Sequence, residues 1–565
     1  MSTQSLASED PTKGCTPSIG RPPWSERIAE LMRRTLFGLC MVVAIAMFFV
    51  ATINIQYGVE DARIVEAFES DEHHIWQIVS KNIQEKNFDP KGYYHYPFGW
   101  FSSGIATSRF FESLGYNIDV RFIIGVFRMI SVLSGIAALY LVYQLLRLFS
   151  LPNHLAFIGG LFVVTIPDFY FWSHGVHPDV PQAALVLAAF LMSFRNAEIR
   201  GALRSTFFHG LALTTKFGGL FSFPFSMLYH TLRRFQPTDG PEPAAPRISN
   251  KGIALRIGAC ALLAAAIYVV TNPYAVSHGK ELIEGVLFIK KAIGGKPLDP
   301  SAVNLAPWDP YLWFRTIGRG IGAFGKPLII LGGLAVIANF IVFGWRRGWR
   351  TLIRDKLQLQ LLILTLYVVA CFAVHVAIIT WPALRYTYHF LPAAIILAFF
   401  GIYLLIRRLP RLLMEIAIVA VALTLLPRTS EAFARMRYAS NKPNAEFFEL
   451  GRWFEGRYPR DAQIYFEIGS YVPSTYFASV SAWGIYDNAM RDPNTKAIVM
   501  CEGMSGRWIW KAPGTSLAEG KLVGDPTASP RAELTYKAYR YLLDHPDEWK
   551  IVYEKGPFIV LERQK

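Results

Sequence analysis

FFHGLALTTKFGGLFSFPFSMLY, residues 207–229, is the stretch on which the architecture turns. It is apolar enough for a membrane, yet Lys216, Gly218, Gly219 and Pro224 interrupt it. Lysine and arginine in short connections mark the cytoplasmic face of a membrane protein. Read as a single span, the stretch would send Arg233 and Arg234 to the opposite side from Arg195, Arg200 and Arg204, and every later basic cluster would flip with them. Read as two short helices that enter and leave, with Lys216 near the turn, all the basic clusters fall on one side. The charge pattern therefore supports a hairpin.

A membrane helix needs about 20 apolar residues. Working outward from the hairpin, nine further runs qualify, at 36–55, 122–146, 155–171, 180–194, 253–270, 328–343, 357–379, 390–406 and 412–426. With the hairpin they make about eleven membrane segments. Arg21, Arg27, Arg33 and Arg34 precede the first run and place the N-terminus in the cytoplasm. Arg147, then Arg233, Arg234, Arg247 and Lys251, then Arg346, Arg347, Arg350, Arg354 and Lys356, then Arg407, Arg408 and Arg411 fall on the same side. Residues 1–35 hold no apolar core, so 36–55 is expected to be a retained anchor rather than a cleaved signal.

The composition agrees. The 565 residues are 52% hydrophobic and 18% charged, more apolar and less charged than soluble domains. Several soluble domains, a disordered chain and a collagen-like chain are all excluded. Cys15, Cys40, Cys260, Cys371 and Cys501 are scattered, with no disulfide framework and no CxxC pair. The expected layout is a cytoplasmic tail at 1–35, a membrane domain at 36–427 and an outward-facing soluble α/β domain at 428–565. Outward loops lie at 57–119 and 271–325. In the last domain 444–457 and 531–543 read as helices, and 462–467, 497–502, 550–554 and 558–562 as strands. That domain carries 19 Lys/Arg and 17 Asp/Glu, so most of the net charge of +15 lies in the membrane part as topology signals. Nucleic-acid binding is not expected.

The first outward loop concentrates the chemistry. It holds ten Asp/Glu against five Lys/Arg. Residues 62–85 and 98–114 read as amphipathic helices that lie along the membrane surface, with the aromatic GYYHYPFGW between them. His95 and Tyr96 there suit sugar or acceptor stacking. Asp71 and Glu72 begin a few residues after the first run, where a carboxylate could take a proton from a hydroxyl. As an alternative, an acidic pair at a helix start complements the helix dipole. The second outward connection, SHGVHPD at 173–179, holds Asp179 at the boundary, where it also suits an N-cap with Pro181 behind it. His174, His177 and Asp179 are metal-ligand types within six residues. A divalent cation on Asp71, His177 and Asp179 is the one cofactor this set suggests. Lys216, Arg385 and Lys326 face outward, against the charge rule, and a bound anion would account for them. Lys216 also suits snorkelling to the interface. Nucleotide sugars are absent outside the cytoplasm, so an outward transferase needs a donor flipped across the bilayer. A polyprenyl-phosphate sugar meets that need.

At these residues the chain resembles the GT-C polytopic glycosyltransferases, especially the protein-O-mannosyltransferase and lipid A aminoarabinose transferase group (glycosyltransferase family 39-like). The matching stretches are SDEHHIWQIVSKNI, YYHYPFGWFSSG, HPDVPQAALVLAAF, GLALTTKFGGLFSFP and LRYTYHFLPAAIILAF, in that order over residues 36–426. The resemblance implies that Asp71 deprotonates the acceptor, Glu72 supports it or orients the acceptor, and Asp179 is the second acidic position near the donor phosphate or a metal. It implies that Lys216 and Arg385 hold the lipid phosphate. The reaction it implies is inverting displacement at the sugar C1, onto a hydroxyl of a glycolipid, polysaccharide or protein of the cell envelope. His73–His74 after the acidic pair departs from the family pattern. The inserted β-trefoil of the eukaryotic protein mannosyltransferases has no counterpart, which fits a multi-pass protein of a bacterial inner membrane with its last domain periplasmic or extracellular. A transporter or lipid flippase is the competing reading. It would place its charges at mid-membrane in paired broken helices, whereas here they gather at one interface.

Overall fold

The computed structural model describes residues 24–564 apart from 60–62, 66–69, 90–96, 197, 236–248, 295–308, 380–382, 441–444, 468, 474, 482–491, 506–508, 511–519 and 524–529. The chain opens with α1 (Trp24–Ile53), followed by two short helices, α2 (Ser70–Gln84) and α3 (Gly99–Ser113). The bundle continues through α4 (Val120–Leu148), α5 (Asn153–Val164), α6 (Pro167–Trp172), α7 (Asp179–Arg195), α8 (Ile199–Thr215), α9 (Phe223–Leu232) and α10 (Asn250–Thr271). After α11 (Gly279–Gly294) and α12 (Pro310–Ile321) come α13 (Gly325–Arg347), α14 (Lys356–Ile378), α15 (Leu391–Ile406), α16 (Arg411–Leu423) and α17 (Leu425–Ser440).

Side-chain caps explain several of the starts. Asp119, Ser249, Asp309 and Asp355 each accept a hydrogen bond from a backbone N–H three residues on, at the heads of α4, α10, α12 and α14, satisfying a donor the helix leaves open.

Among the described residues, six helical stretches are long and apolar enough to cross a membrane: α1, α4, α10, α13, α14 and the continuous Arg411–Met436. The other expected segments are also helices, but shorter; α5, α7 and α15 have 12, 17 and 16 residues. These three bury most of their residues, α5 and α7 nearly all. A helix apolar on all sides belongs inside a bundle, which composition alone does not distinguish from a span. They form the centre, where Phe162, Phe190, Leu146, Phe399 and Ile418 share one core with Met47 of α1. The α13–α15 crossing is set by glycine. A Cβ on Gly401 would lie 1.9 Å from the Gly332 carbonyl oxygen, so only small residues allow this approach.

The stretch 207–229 folds as the hairpin its charges demand. Helix α8 ends at Thr215, a 3-10 turn covers Phe217–Ser222, and α9 returns from Phe223. His209 of α8 bonds Ser222 at 2.8 Å and Ser226 at 2.7 Å, clasping the two arms together. Gly219 is needed at the turn, since a Cβ there would lie 2.5 Å from the Ala212 carbonyl carbon.

After the bundle come α18 (Ala445–Phe454), strands β1 (Gln463–Glu467), β2 (Phe477–Ser481) and β3 (Thr495–Cys501), a small ladder β4 (Ile509–Trp510) and β5 (Lys521–Leu522), then α19 (Pro530–Asp544), β6 (Trp549–Lys555) and β7 (Phe558–Arg563). The sheet order is β2-β1-β3-β7-β6. The first three strands are parallel and the last two antiparallel. Strand alternation sends Ala497 and Val499 to a core with Phe447, Leu450 and Phe454 of α18. Ile498 and Met500 face Ala538, Tyr539 and Leu542 of α19. The α/β expectation for this region holds. β2, β4 and β5 are not among the expected strands; FASVS in β2 is too small and polar to show a strand pattern, and β4 and β5 have two residues each.

Candidate active site

The short connection 173–178 and the hairpin turn meet. Asp179 is the first residue of α7 and is almost fully buried, and its Oδ1 accepts a hydrogen bond from Lys216 Nζ at 2.5 Å. Its Oδ2 lies against His177 Nδ1. The backbone of the turn is fixed to the same helix, because Gln182 Nε2 donates to the Lys216 carbonyl at 2.8 Å. Two residues distant in sequence, Asp179 and Lys216, are thus one ion pair.

Arg385 joins them through aromatic rings. Its guanidinium carbon is 5.1 Å from the Trp172 ring centre and 5.7 Å from that of Tyr386, while Lys216 Nζ is 5.4 Å from the same Tyr386 ring. Trp172 also packs edge-on to His177, with ring centres 5.0 Å apart. Burial lowers the His177 pKa below its usual value despite the adjacent carboxylate, so the imidazole is neutral at physiological pH. Among the described residues, two cations, Lys216 and Arg385, thus stand around one tyrosine ring beside the buried Asp179 carboxylate. Tyr388 and His389, both buried, complete this wall; His389 stands within electrostatic reach of Lys216 and Asp179.

Asp71 and Glu72 are the second and third residues of α2. The Glu72 carboxylate is committed to structure. Its Oε1 accepts from Arg128 Nε at 3.1 Å and from the Val176 N–H at 3.1 Å, and its Oε2 accepts from the Arg128 guanidinium at 2.5 Å. Arg128 in turn donates to the carbonyls of Ile55 at 3.0 Å and Tyr57 at 2.7 Å. His174 Nε2 bonds the Asn54 carbonyl at 2.8 Å. One buried arginine therefore ties the end of α1, the start of α2 and the loop that leads to Asp179. Arg128 is not among the site residues expected from the sequence. A lone arginine inside the apolar run 122–146 was its signal, since an ionisable residue at membrane depth is expensive to place without a role.

An apolar cavity of about 860 Å³ lies between α3, α4, α7, α8 and α10. Pro181, Thr214 and Thr215 line it, one or two residues from Asp179 and Lys216. Trp100, Leu133, Ala188 and Phe208 continue the lining.

The remaining expected site residues are placed as follows. Lys326 is the second residue of α13 and is exposed. Its aliphatic chain runs along Gly318, where a Cβ would meet Lys326 Cε at 2.7 Å. Among the described residues no contact joins it to Asp179 or Arg385. His95 and Tyr96 lie outside the described residues, and so does the Asp71 side chain. Among the described residues no three His, Cys, Asp or Glu side chains come together in a metal-binding group. The two oxygens of Asp179 face Lys216 and His177, and the third member of the expected divalent-cation set, Asp71, has its side chain outside the described residues.

No family model and no curated protein matches this sequence. Solved structures do match. ArnT from Cupriavidus metallidurans in the apo state aligns over 93% of this chain and 97% of its own, at 12% identity and TM-score 0.50. The archaeal oligosaccharyltransferase AglB from Archaeoglobus fulgidus, solved with an inhibitory peptide and a dolichol-phosphate, aligns over 94% of this chain and 80% of its own, at 13% identity and TM-score 0.50. Both are GT-C glycosyltransferases. The chain has the GT-C fold. The GT-C likeness and the apolar helices make this a multi-pass membrane protein.

Proposed function

We propose that the protein is a membrane glycosyltransferase that moves a sugar from a polyprenyl-phosphate donor to a hydroxyl of a cell-envelope acceptor. The observation that carries this reading is the cation pair Lys216 and Arg385 around one tyrosine ring, together with an apolar cavity of about 860 Å³ whose lining includes Pro181, Thr214 and Thr215, one or two residues along the chain from Asp179 and Lys216. A head that is anionic and a tail that is long and apolar fit that combination, and AglB was solved with such a lipid, dolichol-phosphate.

In this reading Asp71 takes the proton of the acceptor hydroxyl. The oxygen attacks C1 of the sugar from the face opposite the donor phosphate, the C1–O bond to phosphate breaks, and the configuration inverts. The leaving polyprenyl phosphate gains negative charge, which Lys216 and Arg385 stabilise where it develops. Asp179 holds the Lys216 ammonium in place and keeps its own charge compensated. Glu72 acts through Arg128, fixing the start of α2 and hence the position of Asp71 relative to the donor. Orientation follows the basic clusters, with the N-terminus cytoplasmic and the α/β unit outside.

The test is binding of undecaprenyl phosphate to the purified protein in nanodiscs. Removing a charged hydrogen-bond donor costs roughly 1.5–3 kcal/mol, so Lys216→Met is expected to weaken binding by about 10- to 100-fold. Lys216→Arg keeps the charge and is expected to keep most of the affinity. Equal binding by wild type and Lys216→Met would refute the donor site.

A further inference from the structure

Ile64 lies seven residues before Asp71 in the sequence, in a helical turn at 63–65. It is only 3% exposed, and the residues around it belong to the C-terminal α/β unit. It shares one hydrophobic core with Phe447, Leu450, Phe454, Phe466 and Val560. Its neighbour Val65 is fully buried in a different core, with Ile75 and Val79 of α2 and Phe127 of α4. Arg63 adds a third link, its guanidinium carbon 5.4 Å from the Phe466 ring centre. Phe466 is the next-to-last residue of β1, so the contact is made at the carboxyl edge of the parallel strands.

Successive residues of one short turn are thus anchored in two separate cores. One core belongs to the α/β unit and the other to α2, the helix whose second residue is Asp71. An apolar side chain exchanged between water and a core favours the buried state strongly, and close-packed cores transmit displacement instead of absorbing it. A docked α/β unit therefore fixes the start of α2, and an undocked one releases it.

We propose that Ile64 is a positioning residue through which the C-terminal α/β unit holds Asp71 in register. This rests on the reading of Asp71 as the base. The consequence is that the terminal unit is part of the catalytic apparatus: whatever engages or loosens it changes transfer at Asp71 without touching the donor site.

The experiment uses the full-length protein in nanodiscs and in a strain deleted for the gene. Ile64→Ser is expected to speed amide hydrogen exchange in the first turn of α2 at least tenfold. It is also expected to slow build-up of the envelope product at least tenfold after induction, while undecaprenyl phosphate binding stays within twofold of wild type. Ile64→Leu, which refills the core, restores both. If Ile64→Ser does not fold, Ile64→Ala is read in its place, with the same direction expected. Unchanged α2 exchange and unchanged product in the folded variant would overturn the proposal. So would a loss of product that Leu does not rescue. Asp71→Asn runs alongside: product in that variant would defeat the base assignment, whereas the exchange measurement decides the coupling independently.

Discussion

Replacing Arg128 by methionine removes the most connected side chain between α1, α2 and the Asp179 loop. The Arg128 and Glu72 side chains are 2% and 5% exposed, so the substitution strands a buried carboxylate. Breaking one partner of such a pair costs about 3–5 kcal/mol. The Ile55 and Tyr57 carbonyls also lose the donor they share, which adds about 1–3 kcal/mol for each carbonyl left unsatisfied, in the single and the double variant alike. Adding Glu72→Leu then removes the stranded charge, and an apolar pair of similar volume is often neutral or better than the ion pair it replaces. The remaining loss is that of two carbonyls and the Val176 N–H, about 1–3 kcal/mol for each group left unsatisfied. The double variant is therefore expected to be more stable than Arg128→Met alone, a negative coupling typical of residues in contact. The assay is the fraction of monodisperse protein that survives a temperature series in nanodiscs, compared across wild type, both single variants and the double. If Glu72→Leu makes Arg128→Met worse, the Glu72 carboxylate is valuable without its arginine, and the clamp described here is wrong.

Two further outcomes follow from the same geometry. Ala188→Trp fills the apolar cavity lined by Ala188 and Phe208, and because the space is open the expected cost in stability is below the ~1–3 kcal/mol of overpacking a closed core; undecaprenyl phosphate binding should fall at least tenfold, and unchanged binding would remove the cavity from the donor site. Burial, reinforced by the Arg128 charge, lowers the His174 pKa from 6.5 to about 4. The unfolded chain then takes up a proton that the folded chain refuses, so stability is full above pH 6.5 and falls as the pH drops toward 4. His174→Gln should flatten this slope in a thermal-inactivation series, and an unaltered slope would assign the acid sensitivity to other groups.

The parts of this structure that were readable in the sequence share one property: each imposes a repeating or counted pattern. Apolar runs and the parity of basic loops gave the bundle and the hairpin at Lys216. Strand alternation at 497–502 and 558–562 gave the α/β unit. The pairing of Asp179 with Lys216 was beyond reach because it depends on how two interface loops meet, and each residue alone also suited an ordinary role. Arg128 was legible as an anomaly inside an apolar run, but its partners lie 56, 71 and 73 residues away. Lys326 shows the converse. An outward lysine at a helix start carried the same sequence signal as Lys216, yet it lies along Gly318 at the surface. The double anchoring of residues 63–65 had no sequence signature, since Ile64 reads as one more apolar position of an amphipathic stripe.

Sugar transfer to the cell envelope with Asp71 as the base is tested by mass spectrometry of envelope glycans from a deletion strain, complemented with wild type or with Asp71→Asn. Deletion is expected to remove one sugar modification and wild type to restore it, while Asp71→Asn accumulates in the membrane as folded protein without restoring it. An unchanged glycan profile on deletion, or full restoration by Asp71→Asn, would contradict it.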